Sequence, residues 1–177
     1  KEYPKRGLSK KKTGKKKKVA IIGAGPSGLA AGNDLAVMGH DITIFEALPM
    51  AGGMLSVGIP PYRLPWNKID GAVDWVEKLG INLKLKSPIN SLDKFDKLVE
   101  KYDAVYIAAG AHKSMALEIP GEDLKGVVHG ITYMKDINLG KQKKVPSRVA
   151  VVGGGFTAID CARSSLRLGA KEVFIIY

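Results

Sequence analysis

The stretch Lys18-Val-Ala-Ile-Ile-Gly-Ala-Gly-Pro-Ser-Gly-Leu-Ala-Ala31 decides the predicted fold. It opens with a short apolar run, which is typical of a parallel strand covered on both faces. Gly23, Gly25 and Gly28 then follow in the spacing G-x-G-x-x-G. In this motif the first glycine allows a tight turn, the second lets a pyrophosphate approach the backbone, and the third lets a helix pack close to the strand. Because the start of that helix also attracts phosphate, the stretch predicts a dinucleotide-binding unit.

The acid that follows the next strand supports this interpretation. The predicted strand Asp41–Phe45 is followed by Glu46, at about the position where the motif places a ribose-binding acid. We therefore prefer a dinucleotide site to the alternative that the glycines serve only a strand–helix turn.

The same pattern returns near the end of the chain, in Arg148-Val-Ala-Val-Val-Gly-Gly-Gly-Phe-Thr-Ala-Ile-Asp-Cys-Ala-Arg163. Gly153, Gly155 and Ala158 give G-x-G-x-x-A between a strand and a helix, and a further strand is predicted over Lys171–Tyr177. We expect an α/β protein with a Rossmann-like unit over residues 19–144, followed by the start of a second Rossmann-like unit over residues 145–177. Two strands cannot close such a unit, so we expect the chain to be an incomplete fragment of a longer protein.

The segment 47–66 has neither helical nor strand periodicity and is rich in glycine and proline. A loop of this length is usually functional, because ordinary connections are only a few residues long. Gly52 and Gly53 would let the backbone approach a flat ring system. Arg63 supplies a fixed positive charge that suits a phosphate or an anionic ring edge.

Hydrophobic periodicity and glycine stops predict the remaining elements. Helices are expected over Leu29–Met38, Lys68–Leu79, Ser91–Lys101 and Gly130–Leu139, and a last helix should end near Leu168. Further strands are expected over Ile81–Lys86 and Tyr102–Gly110, and the second of these is predicted to be buried. Cys161 lies on the last helix among small residues and is predicted to be a buried rather than a reactive thiol. His112 and His129 have no neighbours at metal-ligand spacing, so no metal site is predicted.

Charge and cysteine content restrict the classes of function. The formal net charge is +11, of which residues 1–18 carry +9, so the rest of the chain is nearly neutral. We expect residues 1–18 to form a basic flexible arm, either a solvated leader or a segment that docks an acidic protein surface, and we do not expect a nucleic-acid partner. No stretch approaches the ~20 apolar residues of a membrane span, and the single cysteine permits no intrachain disulfide. A cytoplasmic protein without a membrane partner is expected.

Two dinucleotide sites in series suggest one cofactor that stays bound and one that exchanges, and flavin with nicotinamide is the commonest such pairing. The chain also resembles one family in its particular residues, which are Gly23–Gly28, Phe45-Glu46, Gly52–Met54 with Gly58–Pro60, Arg63–Pro65 and Val152–Asp160. On these residues it resembles the small-subunit family of glutamate synthase, FAD/NAD(P)H oxidoreductases that include the flavin half of dihydropyrimidine dehydrogenase.

The resemblance implies FAD on the first unit and NAD(P)H on the second. It places Gly23, Gly25, Pro26, Ser27 and Gly28 at the FAD pyrophosphate, Glu46 at the adenosine ribose, Gly53, Met54 and Arg63 along the flavin, and Gly154, Gly155, Phe156 and Thr157 at the pyrophosphate of the nicotinamide cofactor.

The resemblance further implies an enzyme in which hydride passes from NAD(P)H to FAD and electrons continue to a partner protein, subunit or iron–sulfur centre. The cofactors perform this chemistry, so no catalytic side chain is expected. Two alternatives remain open: a flavin-dependent monooxygenase or amine oxidase, and a non-catalytic FAD-binding scaffold in an electron-transfer complex. The chain departs from the family in having no cysteine cluster in residues 1–18, so no iron–sulfur centre is expected within it. The chain stops before the basic residues that, in the family, would bind a 2′-phosphate. The choice between NADH and NADPH therefore stays open.

Overall fold

The computed structural model describes residues 14–177, and these divide into two compact units. The first unit comprises the described residues through Gly53 together with Asn67–Gly110, and the second comprises Met54–Trp66 and Ala111–Tyr177. The first thirteen residues of the predicted basic arm lie outside the described residues. Its last residues belong to the folded unit in the structure, since Lys16 and Lys17 make ion pairs of 2.6 and 2.9 Å and Lys18 begins a strand.

A parallel four-stranded sheet organises the first unit, in the order β3–β2–β1–β4. Its strands are β1 (Lys18–Ile22), β2 (Asp41–Phe45), β3 (Asn82–Lys84) and β4 (Ala104–Ile107). In the central register Ile21 lies opposite Ile44 on one side and Tyr106 on the other. The middle residues of β1 and β2 are buried in unbroken runs, as expected for parallel strands with both faces covered.

The second unit contains a parallel pair of strands, β5 (Arg148–Val152) and β6 (Glu172–Ile176). The helices of the described chain are α1 (Pro26–Val37), α2 (Met54–Val57), α3 (Trp66–Lys78), α4 (Leu92–Lys101), α5 (Gly130–Asn138) and α6 (Phe156–Arg167). Asn138 on α5 is buried, and its Nδ2 donates to the carbonyl oxygens of Val57 and Ile59 at 3.0 and 3.1 Å. These bonds attach the segment around α2 to the second unit.

The predicted α/β architecture with parallel strands and two strand–turn–helix units is confirmed. Helix α1 begins three residues earlier than predicted, because Pro26 is tolerated in the first helical turn, where no intrahelical partner for its nitrogen is needed. The segment 47–66, predicted to be irregular, contains the short helix α2.

One other prediction differs from the structure. The predicted burial of the fourth strand is wrong for the described chain, since Tyr106 and Ile107 are 42% and 63% exposed. Among the described strands only β1 pairs with β4, which therefore forms a sheet edge. In the described chain, residues 54–66 and 111–144 group with the second glycine motif in one compact unit.

Candidate functional site

The first glycine turn is shaped by close backbone contacts. Gly23 has φ +109°, and its N–H donates to the carbonyl oxygen of Phe45 at 2.8 Å. A Cβ atom at Gly23 would overlap the carbonyl oxygen of Ala108, and one at Gly28 would overlap the carbonyl oxygen of Gly23. The first and third glycines of the motif are therefore required by the packing of the protein itself.

Gly25, by contrast, has room for a Cβ atom at the start of α1. It is the N-cap residue, with no side-chain cap and no acid in the first turn of the helix. A Cβ atom at Gly25 would meet only the Cα atom of Gly53, at 3.8 Å. The first N–H groups of a helix lack intrahelical partners and carry the positive dipole end, so this terminus can hold a phosphate against bare backbone.

Glu46 lies beside this turn and is only 6% exposed. Its Oε2 atom accepts a hydrogen bond from the N–H of Ala24 at 2.7 Å, and its Oε1 atom accepts one from the N–H of Leu48 at 2.8 Å. A carboxylate offers about four acceptor positions, so two are left for the hydroxyl groups of a ribose. The residues around the first turn therefore fit the adenosine and pyrophosphate of a dinucleotide.

Tyr106 was not predicted as part of this site. Its hydroxyl lies 2.9 Å from the Oγ atom of Ser27, in the first turn of α1. Strands β1 and β4 are neighbours where the sheet order reverses, which is where open α/β sheets bind their ligands. Sequence reasoning missed this residue because the pairing of β4 with β1 is not encoded by any local motif.

The second glycine turn repeats the construction of the first. Gly153 has φ +119°, and its N–H donates to the carbonyl oxygen of Ile176 at 2.8 Å, as Gly23 does to Phe45. Helices α1 and α6 are both 12 residues long, and the N-cap residues Gly25 and Gly155 have φ −76° and −79°. A Cβ atom at Gly155 would meet nothing within 4 Å, so this helix terminus also faces open space.

A cavity of about 200 Å³ lies in the second unit beside the start of α6. It brings together side chains that the sequence assigned to different cofactors, with Met54 and Arg63 on one hand and Phe156 and Thr157 on the other. Its walls are formed by Met54, Leu55, Gly58, Ile59, Arg63, Ile131, Phe156, Thr157 and Asp160. The predicted set is thus divided by unit: Gly23, Gly25, Pro26, Ser27, Gly28, Glu46 and Gly53 lie in the first, and Met54, Arg63, Gly154, Gly155, Phe156 and Thr157 in the second.

Asp160 is a charged residue of this cavity that the sequence prediction missed. It is 3% exposed, and its Oδ1 atom lies 3.4 Å from the Nε atom of Arg63. That oxygen accepts no hydrogen bond from the described residues. The guanidinium group of Arg63 also lies 5.7 Å from the ring centre of Phe156. The signal available in the sequence was an acid among the small and apolar residues of the helix face.

Cys161 is buried, as predicted, and its Sγ atom lies 3.6 Å from the carbonyl oxygen of Gly130. Burial, followed by the nearby negative charge of Asp160, raises the pKa of this thiol to about 11. The thiolate that would act as a nucleophile is therefore disfavoured.

Comparison with known proteins finds relatives whose names include NADP(+) or NADPH. It is 49% identical over 164 residues to the NADP(+)-dependent formate dehydrogenase subunit beta of Moorella thermoacetica, an alignment that covers 91% of this chain and 23% of that protein. It is 36% identical over 176 residues to the glutamate synthase [NADPH] small chain of Bacillus subtilis, covering 94% of this chain and 35% of that protein. The resemblance drawn from the sequence motifs is thereby confirmed.

Among solved structures, Mycobacterium tuberculosis FprA in complex with NADPH matches with a TM-score of 0.73 and 26% identity, covering 91% of this chain and 43% of that one. The chain spans about a quarter to a third of the length of the two curated relatives. None of the described helices is both long and apolar enough to cross a bilayer. The model of one family matches residues 17–177, and the chain belongs to that family, the pyridine nucleotide-disulphide oxidoreductases.

Proposed function

We propose that the protein containing this chain is an FAD-dependent NADPH oxidoreductase that passes electrons to a partner subunit. In this proposal the first unit holds FAD and the second holds NADPH. The observation that carries it is the repeated glycine turn, built twice with the same backbone hydrogen bond and the same uncapped helix start. Family membership over residues 17–177 supports the same assignment.

The residues of the first unit would hold and orient FAD. The N–H groups at the start of α1 would bind its pyrophosphate, with Gly25 leaving room for close approach and Ser27 contributing its hydroxyl. Glu46 would accept hydrogen bonds from the adenosine ribose. When bound, the two cofactors supply the chemistry, which is hydride transfer from the dihydronicotinamide to the flavin.

The residues of the second unit would hold NADPH at the start of α6. A Cβ atom at Gly155 would meet nothing within 4 Å, and Thr157 lies in the first turn of the helix. The cavity beside them includes Met54 and Arg63, which the family resemblance assigns to the flavin side. Residues that the resemblance assigns to both cofactors thus line one cavity of the second unit.

We infer NADPH rather than NADH from the residue after the second strand of each unit. Since Gly23 bonds to Phe45 as Gly153 bonds to Ile176, Tyr177 corresponds to Glu46. A Cβ atom at Gly154 would lie 3.2 Å from the ring of Tyr177, so an aromatic ring takes the place of the carboxylate. A ribose-binding acid favours NAD, whereas its absence from this position removes the charge that would repel a 2′-phosphate. Both relatives above carry NADP(+) or NADPH in their names.

The partner is inferred from the relatives, one of which is named a subunit beta and the other a small chain. The acceptor that the family resemblance implies is a partner protein, a subunit or an iron–sulfur centre.

The experiment is an anaerobic titration of the purified full-length protein, followed by its flavin absorbance. We expect bound FAD, bleached within one turnover by stoichiometric NADPH with no other substrate present, and a much slower response to NADH. Failure to bind FAD, or bleaching only after an amine or another organic substrate is added, would contradict the proposal. A flavin that neither nicotinamide reduces would favour the non-catalytic scaffold.

A further inference from the structure

Tyr62, in the segment between α2 and α3, holds α6 through both its ring and its hydroxyl. The guanidinium carbons of Arg163 and Arg167 lie 4.9 and 3.9 Å from the ring centre of Tyr62. The Tyr62 hydroxyl donates to the carbonyl oxygen of Asp160 at 3.4 Å and lies 3.4 Å from the Oγ atom of Ser164. All of these residues belong to the second unit.

The next residue, Arg63, reaches the first half of the same helix. Its Nε atom lies 3.4 Å from Asp160, and its guanidinium group lies over the ring of Phe156. The contacted helix positions are Phe156, Asp160, Arg163, Ser164 and Arg167, which recur at helical spacing and form one stripe along α6. Tyr62 and Arg63 together therefore bind this helix along its length.

The Tyr62 ring also interacts with the positive charges of two arginines. Arg163 and Arg167 are like charges one helical turn apart, an unfavourable pairing on a helix surface. Neither forms an ion pair with a carboxylate among residues 14–177. The electron-rich face of the Tyr62 ring attracts both guanidinium groups, so the ring offsets their repulsion.

We propose that Tyr62 is a positioning residue for the second cofactor site. By holding the segment 58–66 along α6, it keeps Arg63 paired with Asp160 and keeps the wall of the 200 Å³ cavity in its binding-competent form. Loosening this contact lowers the fraction of molecules with a formed site, and the apparent dissociation constant rises by the reciprocal of that fraction. This inference rests on the proposed binding of NADPH at α6.

The test compares Tyr62→Leu and Tyr62→Phe in the full-length protein. Tyr62→Leu removes the ring face and the hydroxyl, so we expect the KM for NADPH to rise about tenfold, with kcat within about twofold and FAD content unchanged. Tyr62→Phe keeps the ring and should raise the KM only about threefold.

Tyr133→Phe is the matched control. The Tyr133 hydroxyl lies 2.7 Å from the Oγ atom of Ser165, so this variant also removes a hydroxyl contact to α6, but from α5 rather than from the segment 58–66. It should lower the melting temperature while leaving the KM for NADPH unchanged. An unchanged KM in Tyr62→Leu, or a loss of FAD from that variant, would overturn the inference.

Hydrogen exchange separates this inference from the proposed function. The N–H groups of Arg63 and Leu64 donate to the carbonyl oxygen of Pro60 at 2.9 and 3.1 Å. In Tyr62→Leu these two amides should exchange at least tenfold faster, with no such change in Tyr133→Phe. If the wild-type protein were not reduced by NADPH, the proposed function would fail. Unchanged exchange at these amides would instead show that Tyr62 does not hold the segment.

Discussion

A Cβ atom at Gly25 would meet only the Cα atom of Gly53, at 3.8 Å, and Gly25 has an ordinary negative φ. The folded chain therefore has room for a Cβ atom at Gly25, whereas a pyrophosphate lying against the start of α1 would leave none. We expect Gly25→Val to fold with a melting temperature near that of the flavin-free wild type and to purify with less than about a tenth of the normal FAD. Flavin absorbance per protein molecule measures this.

Gly71 provides the matched glycine control for this experiment. It lies within α3, and a Cβ atom there would meet nothing within 4 Å. Gly71→Ala should retain its FAD. Its free energy of unfolding should rise by about 0.5–1 kcal/mol, because alanine is the better helix former. Full flavin content in Gly25→Val would disprove the assignment of the first turn to FAD.

The buried Cys161 thiol gives a second prediction at this scale. Its pKa is raised to about 11, so at pH 8 the thiolate population is about a hundredfold below that of an ordinary thiol. Alkylation by iodoacetamide should be slower by about that factor in the folded protein than in urea. The pKa of the thiol is higher in the folded state than in the unfolded state. Its contribution to the free energy of unfolding is therefore fully present below about pH 9 and is lost as the pH rises through 11. Equal alkylation rates in the folded and unfolded states would contradict this.

The helices and strands that the sequence predicted well are those with a local signal. Helix α4 is an example, since Ser91 caps it by accepting from the N–H of Lys94, and both the cap and the apolar spacing are visible in the sequence. Strand β4 shows the limit: its apolar run predicted burial, but exposure depends on which strands pair with it. Likewise, the glycines predicted the turns, whereas the Ser27–Tyr106 contact depends on the sheet order.

The two glycine turns pack their helices differently, and this difference can be tested. Helix α1 contacts its turn at Gly28, where a Cβ atom would overlap the carbonyl oxygen of Gly23, whereas α6 already carries Ala158 at the matching position. We expect Gly28→Ala to lower the free energy of unfolding by about 2 kcal/mol or more through overpacking. Urea unfolding measures this, with flavin-free Gly25→Val as the reference. Ala158→Gly should lower the free energy of unfolding by only about 1 kcal/mol, because glycine is a weaker helix former than alanine. Equal costs would show that the two turns pack alike.

At the scale of the whole molecule, the chain passes from one compact unit to the other after Gly53, after Trp66 and after Gly110. No local pattern predicted that the segment 54–66 belongs with the second glycine motif. Its membership depends on long-range contacts, such as the Asn138 bonds to Val57 and Ile59 and the pairing of Arg63 with Asp160. Family resemblance assigned Met54 and Arg63 to the flavin, and that role stays a prediction, while the structure groups both residues with the second unit.

Separate sites for the two cofactors predict that each can be lost without the other. Gly155 corresponds to Gly25, and a Cβ atom there would meet nothing within 4 Å, so Gly155→Val should fold normally. Its branched side chain would crowd a pyrophosphate at the start of α6, and we expect the KM for NADPH to rise at least about a hundredfold while FAD content stays complete. Steady-state kinetics with a small dye acceptor and flavin absorbance measure the two effects. Loss of FAD from Gly155→Val with a normal KM for NADPH would mean that the cofactors occupy the two units in the reverse order.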